Sequence, residues 1–175
     1  MPSDQRPNRP EPPDLAAEEE RLAAFLAGQS ALVLAVAVDR ESPPGTAPEI
    51  GSLPFVHHDG AFWVLASEFA AHTRPLLEGR EARVALLADQ SATRNPFARE
   101  RAQWTAQVES VDREASRFAE VTARLRDRHG KTVELLCGLG DFHLLGFHLG
   151  AGRYVNGFGS AFELDGLTVC QQRRG

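Results

Sequence analysis

A serine, an imidazole and a threonine fall together in Ser67-Glu-Phe-Ala-Ala-His72-Thr73, directly after an apolar run that reads as a strand. Hydroxyls and free backbone N–H groups gathered at a strand end, with a helical turn to follow, suit phosphate or carboxylate oxygens. The alternative is that Ser67 and Thr73 only cap turns. A second segment, Phe97-Ala-Arg99-Glu-Arg101 with Arg94 before it, places two guanidinium groups two residues apart. On a strand such residues share a face, which is either a solvated surface or a bidentate receptor for an anion. A third, Gly138-Leu-Gly140-Asp141-Phe142-His143, puts one carboxylate at the mouth of an apolar strand. Asp141 there either holds a polar partner or caps the strand start. A fourth, Gly152-Arg153-Tyr154-Val155-Asn156-Gly157-Phe158-Gly159-Ser160-Ala161-Phe162, mixes glycine with aromatics. It reads as a close approach to a flat ligand or another chain, or as a tight hairpin with an aromatic packing face.

The histidines make no cluster. His143 and His148 are five apart on one expected strand and so lie on opposite faces. His57 and His58 flank a turn, and His129 sits at a helix end where the dipole favours it. No metal site is expected. Cys137 and Cys170 lack a paired spacing and read as reduced, packed thiols, the alternative for Cys170 being a thiolate ligand.

These groups need a scaffold. Asp14 is expected to cap a helix carrying Leu15, Leu22, Phe25 and Leu26 on one face, ended by Gly28, with Glu18, Glu19 and Glu20 in its early turns. Strands are expected over Ser30–Asp39, Ala47–His57, Ala61–Ala66, Arg83–Ala88 and Arg101–Val108, with a Pro/Gly loop at Pro43-Pro44-Gly45 and a tight turn at His58-Asp59-Gly60. His72–Glu78 makes a helical turn or two. Asp112 is expected to cap an amphipathic helix with a stripe of Ala115, Phe118, Val121 and Leu125, ended by Gly130, and Thr132–Cys137 a short one. Phe142–Leu149 and Arg153–Phe158 are expected to form a hairpin through Gly150-Ala151-Gly152, and a strand to extend through Leu164–Val169. Short strands joined by hairpins, with few helices between, predict an antiparallel barrel. No GxGxxG opens a helix after a strand, which disfavours a dinucleotide-binding domain.

Composition bounds the rest. The chain has 175 residues, net charge −5, and eighteen arginines against the single Lys131. One domain over 14–170 is expected, after a proline-rich disordered lead-in at 1–13 and before a flexible tail at 171–175. Arginines alternate with acids and form no basic block, so nucleic acid is not an expected partner. No run approaches a bilayer span and the N-terminus lacks a signal-like apolar core, so no membrane partner and a cytoplasmic location are expected.

Taken in order, SLPFV (Ser52–Val56), the SExAxHT pattern ending at Thr73, FARER (Phe97–Arg101), GLGDFHL (Gly138–Leu144) and GRYVNGFGSAF (Gly152–Phe162) resemble the haem-utilisation branch of the pyridoxamine-5′-phosphate-oxidase-like, FMN-binding split barrels. The resemblance spans residues 20 to 164. It implies a mainly β split barrel with flanking helices, a homodimer, and two symmetric sites for a small planar or phosphate-bearing ligand. It further implies that Ser67, His72 and Thr73 face an FMN phosphate, that Arg99 and Arg101 lie near the same ligand, and that Asp141 helps set up a haem pocket. Two departures stand out. No histidine follows His148, although haem-handling relatives ligate iron from the C-terminal tail, and Gln103 stands where a threonine is usual. With the tail bare, the resemblance tilts towards an FMN-binding flavoprotein and probable oxidoreductase. The alternatives are a haem-binding or haem-degrading protein of iron utilisation, and a non-enzymatic barrel without its cofactor. Cofactor-binding residues are thus expected to be Ser67, His72, Thr73, Arg99, Arg101, Gln103 and Asp141.

Overall fold

The structure, a computed structural model, describes residues 13–38, 47–91 and 93–172. Helix α1 (Leu15–Gly28) starts where Asp14 accepts hydrogen bonds from the backbone N–H groups of Ala16 and Ala17. Its Leu22, Phe25 and Leu26 are buried. In β1 (Ala31–Val36) Leu32, Leu34 and Val36 point inward and Ala31, Val33 and Ala35 outward, the period-two pattern of a half-covered strand. The expected loop at Pro43–Gly45 lies outside the described residues. β2 (Glu49–His58) turns into β3 (Ala61–Ser67) through Asp59 and Gly60, both at positive φ, the conformation a tight hairpin asks of Asp-Gly.

After the short α2 (Thr73–Leu77) come β4 (Ala82–Leu87), a 3₁₀ turn (Pro96–Ala98) and β5 (Arg101–Val111). Helices α3 (Ser116–His129) and α4 (Thr132–Gly138) lead into β6 (Phe142–Gly157), β7 (Ser160–Asp165) and β8 (Thr168–Gln172). The sheet runs β3-β2-β1-β4-β5-β6-β7-β8, all pairs antiparallel, and β3 also pairs with β6. That closure makes a six-stranded barrel, with β7 and β8 continuing from the far half of β6.

Two apolar cores result. Inside the barrel lie Leu34, Phe55, Phe62, Val64, Trp104, Phe147 and Tyr154, with α1 packed over them. Outside it, Trp63, Leu65 and Leu144 pack under Phe118, Val121 and Leu125 of α3 and Val133 of α4. β3 and the first half of β6 are therefore covered on both faces, which is why they read as unbroken apolar runs.

Three expectations need correction. Residues 150–152 form no turn: β6 runs through them unbroken. Gly146 and Gly152 stand opposite Trp63 and Trp104 in the register, and a Cβ on either would fall within 3 Å of the indole. These glycines make room for rings rather than bend the chain. The chain reverses one step later, at Phe158 and Gly159, and again at Gly166. Asp112 does not cap α3; Ala115 holds that position with no side-chain bond, while the Asp112 carbonyl accepts from the Ala115 N–H. Finally, Cys170 is exposed rather than packed, whereas Cys137 is partly covered.

Candidate functional site

Ser67 ends β3, and its hydroxyl donates to Asp141 Oδ2 at 2.7 Å while accepting from the Phe69 N–H at 3.2 Å. The Glu68 N–H donates to the Asp141 carbonyl at 2.8 Å. Ser67 and Asp141 are thus brought together, tying the loop after β3 to the start of β6. Beside them, His143 Nε2 meets Glu68 Oε1 at 2.6 Å. This pair was not foreseen; Glu68 and His143 lie inside two of the noted segments, but nothing in their spacing joins them.

His72 and Thr73 point elsewhere. The His72 ring packs on Gly51 of β2, where a Cβ would come within 2.6 Å of Cε1. His72 is 8% and Thr73 0% exposed, and neither His72 Nε2 nor Thr73 Oγ1 has a hydrogen-bond partner among the described residues. Burial pushes the His72 pKa down, opposed by the Glu49 carboxylate, so the ring is neutral. The SExAxHT segment therefore presents no open cradle of hydroxyls. One hydroxyl is given to a carboxylate and the other is sealed.

The arginine segment divides as well. Arg99 lies outside β5, as the cap residue of the 3₁₀ turn, and its Nε donates to the Ala88 carbonyl at 2.6 Å. It does not share a strand face with Arg101. Arg101 opens β5 and donates from Nη1 to the Arg99 carbonyl at 2.9 Å. Gln103, two residues on, stands opposite Arg153 of β6. Arg101, Gln103 and Arg153 line one open cleft of about 490 Å³ together with Phe97, Val155, Phe158 and Ser160. Arg153 makes no hydrogen bond or ion pair among the described residues. Phe97 is 83% and Phe158 69% exposed, a large apolar area left in water. Two guanidinium groups and two uncovered aromatic rings suit a flat anion: the rings offer faces, the forks grip acid groups. Of the expected residues, then, Arg101 and Gln103 meet here, Ser67 and Asp141 meet at the β3–β6 end, and Arg99, His72 and Thr73 are used in packing. Arg153, which was not among the expected site residues, lines the cleft as well. Its segment was singled out as a close approach to a flat ligand or as a hairpin, and neither reading picked out Arg153 itself.

No family model matches the chain. The heme oxygenase HutZ of Vibrio cholerae serotype O1 is 29% identical over 119 residues, covering 68% of each chain. The crystal structure of HutZ, described as a heme storage protein, superposes with a TM-score of 0.67 at 25% identity, over 75% of this chain and 89% of that one. Campylobacter jejuni ChuZ superposes with a TM-score of 0.79 at 19% identity, over 91% of this chain and 63% of that one. In sequence and fold the chain is similar to these haem-utilisation members of the pyridoxamine-5′-phosphate-oxidase-like split barrels. The fold is shared with a Clostridium acetobutylicum protein related to general stress protein 26, of the pyridoxinephosphate oxidase family, with a TM-score of 0.57 at 13% identity, over 84% of this chain and 95% of that one. The closed six-stranded sheet and its β6–β7–β8 extension are the scaffold. The cleft at β5, β6 and the β6–β7 turn is what this chain builds on it.

Proposed function

We propose that the protein binds haem as its cargo, with the porphyrin lying in the cleft of Arg101, Gln103, Arg153, Phe97 and Phe158. The observation that carries this is that Arg101 and Arg153 line one cleft together with two exposed aromatic rings. Porphyrin propionates ask for paired guanidinium forks and its ring for aromatic or apolar walls. The likeness to HutZ supports the same ligand class.

The flavin reading is weaker on chemical grounds. Its phosphate was to sit at Ser67, His72 and Thr73, where the Asp141 carboxylate 2.7 Å from Ser67 Oγ presents the wrong charge and the remaining polar atoms are sealed. The superfamily likeness keeps FMN as the natural comparison ligand.

Titration of the purified protein with hemin, followed by tryptophan fluorescence and Soret absorbance, tests the proposal, with FMN titrated in parallel. Saturable hemin binding, weakened at least about tenfold in Arg101→Ala/Arg153→Ala by loss of charge-assisted hydrogen bonds, is the expected result. Saturation by FMN with no response to hemin overturns it.

A further inference from the structure

We infer that this cleft selects the tetrapyrrole dicarboxylate and not its central metal, so that haem and metal-free protoporphyrin bind alike. The inference rests on the haem-cleft reading and deepens it by naming what the site recognises.

The cleft's side chains are guanidinium, amide, hydroxyl, phenyl and aliphatic. None is an imidazole, thiolate, phenolate or thioether, the donors that hold haem iron. The described residues account for every imidazole, phenol and thiol of the chain. His58, His143 and His148 give Nε2 to Glu120, Glu68 and Glu109 at 2.8, 2.6 and 2.8 Å. His129 Nε2 is held on the Phe55 carbonyl at 2.9 Å, and His72 Nε2 is sealed. His57 lines a different cleft, between α1, β2 and α3. Tyr154 is fully buried with its hydroxyl on Glu100, and its pKa is pushed far above the phenol range by burial and that carboxylate. Cys137 lies on α4, partly buried against the outer core, with its thiol pKa raised by burial, and Cys170 sits on β8, outside the cleft. The single methionine is Met1.

The polar groups that do line the cleft address the porphyrin's edge. Arg101 and Arg153 are placed for propionates, and Phe97 and Phe158 for the ring faces, all features that haem shares with the metal-free macrocycle. A site that gains nothing from iron coordination gives the two ligands similar dissociation constants. A protein of this kind accepts and hands over tetrapyrrole by its acid groups.

Wild type, Arg101→Ala/Arg153→Ala, Phe158→Ala, His57→Ala and Cys170→Ser are titrated with hemin and with metal-free protoporphyrin IX by tryptophan quenching, and the hemin complexes are recorded by absorbance and EPR. The expected result is dissociation constants within about threefold of each other in the wild type, both raised about tenfold or more in the arginine variant and several-fold in Phe158→Ala. The hemin spectrum shows no imidazole or thiolate ligation and does not change in His57→Ala or Cys170→Ser. Hemin binding about tenfold or more tighter than metal-free protoporphyrin, or a ligated spectrum abolished by substituting one donor residue, overturns the inference while leaving haem binding intact. Failure of both porphyrins to saturate, or indifference of both to the arginine and Phe158 substitutions, overturns the cleft reading and the inference with it.

Discussion

The His72 ring fills the gap left by Gly51 and holds an unpartnered Nε2 out of water. Desolvation lowers its pKa from 6.5, and the same holds for His57, where His58 adds to the effect. In the unfolded chain both rings bind protons more readily than in the fold. Stability therefore rises with pH across the window between the lowered folded values and 6.5, is fully present above it, and is lost as pH falls through the folded values. Thermal melts of the wild type are expected to be flat near pH 7 to 8 and to fall as the pH drops below 6.5, with a shallower fall in His72→Gln. An identical slope in that variant refutes the assignment. Gly152 is a second test of a single atom. A Cβ there comes within 2.4 Å of Trp104 Cδ1 and 2.6 Å of the Gln103 carbonyl, and Trp104 cannot swing away without breaking its 2.7 Å bond to the Gly166 carbonyl. Gly152→Ala is expected to cost about 1–3 kcal/mol in urea melts, the range for overpacking. Gly140, with open space around its Cβ position, is the control: Gly140→Ala stays within about 0.5 kcal/mol.

At the scale of elements, α4 is short and depends on one side chain. Arg113 reaches across from the β5–α3 connection to the carbonyls of Cys137, Leu139 and Phe142 and lies 5.6 Å from the Phe118 ring centroid. It satisfies acceptors at the end of α4 and fixes where β6 begins. Arg113→Ala is expected to lower stability by about 1–3 kcal/mol and to raise hydrogen exchange selectively over residues 132–142. Uniform loss of protection, or none, counts against that role. Nothing in the sequence announces Arg113, since its partners are backbone groups more than twenty residues away. The elements that were legible carry their own periodicity or turn chemistry: the stripe of α3, the alternation of β1, the Asp59-Gly60 hairpin. Those that were misread depend on tertiary partners. Gly150 and Gly152 look like a turn until Trp104 is placed opposite. The three glutamates of α1 look like dipole partners, yet Glu18 accepts from the Asn156 amide and Glu19 from the Val169 N–H, joining α1 to β6 and β8. The candidate site was legible as segments and not as partners. Arg101 and Gln103 fall in one cleft with Arg153, whose position in an unbroken β6 was not read, and the Ser67–Asp141 bond joins two motifs read separately.

At the scale of the whole molecule, helices cover some faces of the barrel and leave one uncovered among the described residues. α3 and α4 lie over β3 and β6. The outer face of β2, β1, β4 and β5 instead shows Ile50 at 68% exposed, with Val33 and Leu87 each at 37%. Val33, Ala35, Ile50, Ala85 and Gln103 line a shallow groove of about 360 Å³ along it. Gln103 belongs to both this groove and the arginine cleft, so whatever covers the bare face also walls the open side of the cleft. A two-fold partner satisfies both needs with one surface: apolar strip on apolar strip, two clefts closed at once. The resulting expectation is a particle of twice the 19.1-kDa chain mass by light scattering at tens of micromolar. Val33→Glu/Ile50→Glu, which sets like charges against each other across such an axis, is expected to give monomers with an unchanged far-UV CD spectrum. If the cleft needs the partner's wall, hemin affinity falls in that variant although neither substituted residue lines the arginine cleft. A wild type that scatters as a monomer, or a monomeric variant that binds hemin as tightly as wild type, breaks the link between the bare face and the site.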